Sequence, residues 1–415
     1  MPPHGRSGAR ASSTRARLLQ LCVAAAIALA AFVVAHDRPL RASVQSTVDT
    51  TPASVGGWQA AELDLPLAWQ VTAGSPSVVV AVVDSGVDGS HGALQGHVLT
   101  GFNLLTGTTD ASDDNGHGTA LAGIVAATCP ACRILPVKVM AANGTGNWDT
   151  IAAGVVWAAD HGAQVINLSV GASHALDVLG AAVAYALGKG SIVVAAAGNE
   201  GRNETFYPAA YPGVVSVAGI DENGARYAWS NFGAWVTAAA PGCTTTTWLA
   251  GQYKTDFCGT STAAPYVAGI AGLARSYKST LTADAFAAAI RTSAAPLVDS
   301  GVASSGEVDA NKLLLALGAP AAAPVAVTAA GLAGVPKVGK TLGVRTGVWH
   351  DAAAYSVRWQ RSADGVSWLD IATGSTYRPL PSDLGSRLRV VVTASNARGS
   401  TTSVSPASPR VKRPR

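Results

Sequence analysis

Charge is scarce in this chain. Asp, Glu, Lys and Arg make up 13% of its 415 residues, against 48% hydrophobic ones. That balance excludes wholesale disorder, which needs high charge and little apolar surface, and it supplies a large buried core. The length suits two or three domains rather than one. The net charge of +4 gathers at the ends, with Arg6, Arg10, Arg15 and Arg17 near the start and Arg410, Lys412, Arg413 and Arg415 near the finish. No basic stripe with interleaved aromatics lies between them, so nucleic acid is not an expected partner. Cysteine is sparse too, with Cys22, Cys129, Cys132, Cys243 and Cys258. Cys129-Pro-Ala-Cys132 has the spacing of a redox pair or half a zinc site, but no His or Cys cluster accompanies it, and no metal ligands are expected.

Residues Leu18 to Ala35 are apolar apart from Gln20 and Cys22, follow four arginines, and end in the small-residue run Val33-Val34-Ala35. Residues 1–35 read as a signal peptide; the alternative is a membrane anchor, because about 18 apolar residues is the lower edge of spanning length. Export places the protein outside the cell, secreted or at the surface. Beyond Cys22 an even number of cysteines remains, which favours disulfides in an exported chain. The expected pairs are Cys129–Cys132 and Cys243–Cys258. The second closes a loop of about 16 residues, stabilising the fold by roughly 3 kcal/mol.

Residues 36–53 form a short polar segment. From there to residue 318, continuous β-branched runs alternate with small-residue helices. Ser77–Val83, Arg133–Val139, Gln164–Ser169, Ser191–Ala197 and Gly213–Ala218 read as strands buried on both faces. Residues 118–127, 148–161, 177–189, 263–278, 282–293 and 309–317 read as helices. The repetition predicts an α/β fold with a parallel sheet between helical layers. In such sheets sites form beyond the carboxyl ends of strands, where Asp84, Ser169 and Gly198-Asn199 fall. Residues 319–328 are a Pro/Ala linker. From 329 to 415 short alternating strands and turns predict an all-β sandwich with a basic tail, Trp359 in its core.

Three Gly-rich segments carry chemistry: Val82-Val83-Asp84-Ser85-Gly86, Asn115-Gly116-His117-Gly118-Thr119 and Gly259-Thr260-Ser261-Thr262-Ala263. Each alone is an ordinary turn or helix start. Amide hydrolysis needs a nucleophile, a base, a group that orients the base, and donors for the oxyanion. Ser261, His117, Asp84 and Asn199 supply one of each, and the chain order Asp, His, Ser is that of subtilisin. On these motifs residues 54–318 resemble the subtilase family of serine endopeptidases (peptidase family S8). The resemblance implies a three-layer subtilisin-like domain, catalysis by Asp84, His117 and Ser261 with Asn199 in the oxyanion hole, and no cofactor for catalysis. It also implies a groove for polypeptide substrates. One wall is Ser169-Val170-Gly171, the other Asn143-Gly144-Thr145-Gly146. Trp148 borders the pocket for the fourth residue before the cut, or else packs at a helix start. Glu200 modulates the first pocket, and apolar or aromatic side chains are the expected preference. Residues 329–415 resemble Ig-like modules of bacterial secreted proteins, which implies contact with a cell surface or carbohydrate. A monomer is expected.

The chain departs from the family at several places. Ala120 stands where a second histidine is usual, and Thr262 where methionine often follows the serine. Ala93 replaces an acidic residue that commonly helps hold structural calcium, and Thr128-Cys-Pro-Ala-Cys-Arg133 replaces the loop completing that site. The usual strong calcium site is therefore expected to be lost, a small disulfide standing in for it; a weaker cation site near Tyr211 and Asp221 stays open. The stretch ahead of Asp84 is too short for the family's pro-domain, so residues 36–53 are at most a masking peptide. Two competing readings are a non-catalytic surface or adhesion protein on a protease-like scaffold, and a peptide ligase or maturation protease with one target.

Overall fold

The β-branched runs become strands of one sheet, and the small-residue segments become the helices covering it. A computed structural model describes residues 48–49 (backbone only), 57–299, 301–319, 323–352, 354–396 and 399–414. These fall in one compact unit, Leu40–Arg415. The expected export segment, nearly all of 36–53 and part of the linker lie outside the described residues. None of the helices among the described residues is long and apolar enough to cross a membrane.

In chain order, β1 (Val48–Asp49), α1 (Gly57–Glu62) and α2 (Leu65–Val71) lead into β2 (Val79–Asp84) and β3 (Phe102–Asn103). Next come α3 (His117–Thr128), β4 (Arg133–Lys138), α4 (Trp148–Asp160), β5 (Val165–Leu168), α5 (Asp177–Gly188), β6 (Ile192–Ala196), β7 (Val215–Ile220) and β8 (Ala238–Pro241). The hairpin β9 (Cys243–Thr247) and β10 (Tyr253–Cys258) precedes α6 (Thr260–Tyr277), α7 (Ala283–Ser293) and α8 (Ala310–Ala316). The central sheet has the order β3-β4-β2-β5-β6-β7-β8, parallel throughout.

Both faces are buried, as the unbroken apolar runs require. Val80 and Val82 join a core with Leu121, Ile124 and Val267 of α3 and α6. Ala81 and Val83 point the other way, into a core with Ile151, Val155, Leu179 and Val183 of α4 and α5. This is the three-layer α/β fold the sequence predicts. The alanine-rich β8 was not foreseen; its pairing with β7 overrides a weak intrinsic preference.

Both expected disulfides are present, Cys129–Cys132 and Cys243–Cys258, with Cα atoms 5.4 and 4.1 Å apart. The second ties opposed residues of β9 and β10 directly ahead of α6. On the other edge of β10, the backbone of β1 adds as a third antiparallel strand.

Beyond α8 the chain is strand-rich and antiparallel. It comprises β11 (Val325–Ala326), β12 (Gly331–Ala333), β13 (Leu342–Arg345), β14 (Trp349–His350), β15 (Ala354–Ser362), β16 (Leu369–Thr373), β17 (Thr376–Tyr377), β18 (Arg387–Asn396) and β19 (Gly399–Val404). Sheets β16-β15-β18-β19 and β12-β13-β17 share a core around the fully buried Trp359, whose indole N–H donates to the Gly374 carbonyl at 2.9 Å. That ring is therefore no sugar platform. Two polar contacts join this region to the helical layers. His350 Nδ1 lies 3.4 Å from Asp64 Oδ1, and Asn311 Nδ2 reaches Asp64 and Asp351 at 3.3 and 3.4 Å.

Candidate active site

Asp84 ends β2, and its side chain is wholly buried. Its Oδ1 accepts from the Ser85 N–H and meets His117 Nδ1, each at 2.8 Å. Among the described residues Oδ2 has no partner. The carboxylate therefore directs its hydrogen bond at one imidazole nitrogen, which fixes the tautomer and leaves Nε2 as the basic atom.

His117 opens α3, and a set of polar groups missed from sequence holds that helix start. Asp113 Oδ1 accepts from Ser85 Oγ (2.8 Å), Asn115 N (2.9 Å) and Gly116 N (3.0 Å). Asp113 Oδ2 accepts from Thr119 N (2.9 Å) and Thr119 Oγ1 (2.6 Å). Ser85 Oγ in turn accepts from Gly118 N at 2.9 Å. The free N–H groups of the first turn are thus met by the loop after Asp84 and by one carboxylate. Glycine at 118 permits the contact: a Cβ there would lie 2.1 Å from the Gly86 carbonyl oxygen. Lys138 Nζ secures the same loop, donating to the Ser85 carbonyl and to Asp114, both at 2.5 Å.

Burial alone would push the His117 imidazole down. The paired Asp84 and the nearby Asp113 outweigh burial, and the pKa is raised above 6.5. Lys254 opposes them slightly. Its ammonium lies 3.9 Å from the Trp248 ring. Phe257 closes that side, its ring 5.7 Å from the imidazole.

Ser261 is the second residue of α6, at the positive end of the helix dipole. Its Oγ donates to the Ser169 carbonyl at 3.3 Å, while Ser169 Oγ donates to the Ser261 carbonyl at 3.2 Å. Among the described hydrogen bonds none joins Ser261 to His117. Loose catalytic contacts of this kind are common without substrate.

Asn199 follows β6. Its Oδ1 accepts from Thr260 N (2.8 Å) and Thr260 Oγ1 (3.0 Å), and Thr260 Oγ1 accepts from Gly198 N (3.0 Å). Among the described hydrogen bonds the Asn199 NH₂ makes none. Asn231 braces the same loop: Nδ2 donates to the Ala197 carbonyl (2.9 Å) and Glu200 Oε2 (2.7 Å), and Oδ1 accepts from Glu200 N (3.1 Å) and Arg202 N (3.0 Å). Asp113 lies three residues ahead of the Gly116 cap position and Asn231 far along the chain, so neither carried a local helix-start signal.

Ser169, Val170 and Gly171 continue directly from β5. Gly144 lies in a turn closed by Ala141 N to Thr145 O at 2.9 Å, and Gly146 beyond it bridges Met140. Trp148, 6% exposed, belongs to the core with Val139, Met140 and Ile151, as the packing alternative has it.

A seven-stranded parallel sheet between two helical layers defines a subtilisin-like α/β fold. Residues 75–319 match the model of the subtilase family, and the chain belongs to that family. It is 43% identical over 216 residues to the "Thermophilic serine proteinase" of Bacillus sp. (strain AK1), covering 50% of this chain and 54% of that protein. It therefore spans about half the length of that relative. It is 40% identical over 226 residues to "Thermitase" of Thermoactinomyces vulgaris, covering 51% and 79%. Among solved structures it resembles a lanthipeptide protease, with TM-score 0.59 and 29% identity over 63% of this chain and 94% of the other. A cold-adapted subtilisin-like serine proteinase gives 0.54 and 28%, over 57% and 90%.

Proposed function

We propose that this chain is an exported serine endopeptidase that cuts polypeptides through a covalent acyl-enzyme on Ser261. The observation carrying this reading is the buried Asp84–His117 pair at 2.8 Å, set beside a helix-borne serine and an asparagine whose oxygen is already occupied. Substrate enters along Ser169–Gly171 as an added strand, with Gly144 and Gly146 on the opposite wall. Ser261 Oγ leaves the Ser169 carbonyl, passes its proton to His117 Nε2 and bonds to the scissile carbonyl carbon. The oxyanion is met by Asn199 Nδ2 and the Ser261 N–H. His117 returns the proton to the leaving amine as the C–N bond breaks. Water, deprotonated by the same imidazole, then releases the acid and restores Ser261. Asp84 orients the imidazole and stabilises the imidazolium as it forms.

The remaining assignments rest on sequence pattern. They are export through residues 1–35, domain limits at 54–318 and 329–415, an Ig-like character for the strand-rich region with surface or carbohydrate contact, and a monomeric state. The Cys129–Cys132 bridge in place of calcium belongs with them. A non-catalytic scaffold is the competing reading, and the four intact site residues speak against it.

The test is labelling of the folded protein with a fluorophosphonate probe. Wild type should be labelled and Ser261→Ala should not. A folded wild type that resists the probe, including after removal of residues 36–53, would leave the scaffold reading standing.

A further inference from the structure

The proposed acyl-enzyme fixes where the substrate residue with the attacked carbonyl must sit. Its carbonyl carbon meets Ser261 Oγ, and its oxygen lies by Asn199. Its backbone runs along Ser169–Gly171, because Ser169 is already hydrogen-bonded to Ser261 in both directions. The side chain of that residue then enters the space between the Ser169–Gly171 segment and the Gly198–Asn199 loop.

An aromatic ring stands in that space. A Cβ placed on Gly171 would lie 2.2 Å from Phe206 Cε1 and 2.7 Å from its Cδ1. One placed on Gly198 would lie 2.9 Å from Phe206 Cγ. The ring therefore rests on the bare backbone of both walls at once. Its backbone is anchored on each side. Tyr207 N donates to the Ala172 carbonyl at 2.8 Å and Ala172 N to the Tyr207 carbonyl at 2.7 Å, while Ala210 N donates to the Phe206 carbonyl at 2.8 Å. This pairing fixes the Phe206 backbone beside the substrate strand. Gly171 seats the ring, and the face over Gly198 is shared by Asn231 Nδ2, Glu200 Oε2 and the ring, at 2.4, 2.7 and 2.9 Å from the Cβ position.

We infer that Phe206 fills the pocket for the side chain on the acyl side of the cut, so that this enzyme cleaves after small residues, glycine, alanine and serine, and excludes aromatic and long aliphatic ones. This rests on the serine-peptidase reading and narrows it, replacing the apolar or aromatic preference expected from family resemblance.

The test uses Ala-Ala-Pro-X p-nitroanilides with X as Ala, Ser, Leu or Phe, on wild type, Phe206→Ala and Phe206→Leu, each titrated with a fluorophosphonate. Each methylene a pocket accepts or rejects changes kcat/KM by about 10- to 200-fold, so wild type should favour Ala over Phe by on the order of 100-fold. Phe206→Ala should raise the Phe-to-Ala ratio by a similar factor. Phe206→Leu, which keeps most of the volume, should give an intermediate ratio and serves if the alanine variant fails to fold. A wild type that titrates at Ser261 yet cuts after Phe as readily as after Ala overturns the inference and leaves the peptidase reading intact. So does a ratio that neither variant moves. A folded wild type whose Ser261 does not titrate defeats the peptidase reading, and the inference with it.

Discussion

Glu307 offers a quantitative test of how this fold responds to pH. Its backbone is locked between β8 and the segment after α7, with Glu307 N to Ala295 O at 2.9 Å and Val308 N to Ala239 O at 3.0 Å. The side chain is 5% exposed, and its Oε1 has no partner among the described residues. Burial, then the neighbouring Glu62 carboxylate, then Asp309 push its pKa from 4.5 up to about 9. A carboxyl raised in this way keeps its proton in the folded state. The stability it contributes is complete below pH 4.5, falls as the unfolded chain ionises, and is gone once pH passes through about 9. Each pH unit in that window is about 1.4 kcal/mol, so between pH 5 and pH 8 the group withdraws on the order of 4 kcal/mol. Glu307→Gln keeps the shape and a hydrogen bond to Glu62 but has no proton to lose. Wild type and variant should melt together near pH 5. By pH 8 the variant should melt higher by about 10 °C, taking roughly 2–4 °C per kcal/mol for a domain of this size. Thermal melts of both proteins at half-unit steps measure the difference directly. Melting curves that stay parallel from pH 5 to pH 8 would refute the claim that Glu307 is protonated in the fold.

Two further outcomes are expected. His117 is a base only when neutral and its pKa lies above 6.5, so the acidic limb of kcat/KM against pH should have its midpoint above 6.5. Lys254→Met, which removes an opposing cation, should move that limb further up, and Asp113→Asn should move it down; shifts of the same sign in both variants would contradict the assignment. The His117–Asp84 pairing likewise contributes stability that is complete below pH 6.5 and is lost as pH rises through the folded value. If the Cys129–Cys132 bridge replaces calcium, excess chelator should leave the melting temperature within about 1 °C, whereas reducing the bridge should lower it by several degrees; a large fall with chelator alone would refute the replacement.

The strands were legible because burial on both faces leaves no room for polar alternation. The run expected at 191–197 is β6 at Ile192–Ala196, and the helix expected at 118–127 is α3 at His117–Thr128. Asp84, His117, Ser261 and Asn199 were legible because glycines frame each at a strand or helix end. What stayed hidden depends on contacts between distant segments. Thr260 matters through Asn199, 61 residues away, and Asn231 through a loop about 30 residues earlier. Phe206 is ordinary in sequence and acquires meaning only where two glycine walls converge on it. Trp148 left two readings open because an aromatic at a helix start reads the same whether it faces a groove or the core.

The reciprocal contact between Ser169 and Ser261 makes the resting site a latch. On the proposed groove, the carbonyl that holds the serine hydroxyl belongs to the strand offered to an incoming peptide, so a substrate backbone N–H arriving there would compete for the same acceptor. Docking a peptide and freeing the nucleophile then become one event. On that proposed reading, selection for extended chains would come ahead of any pocket that judges a side chain.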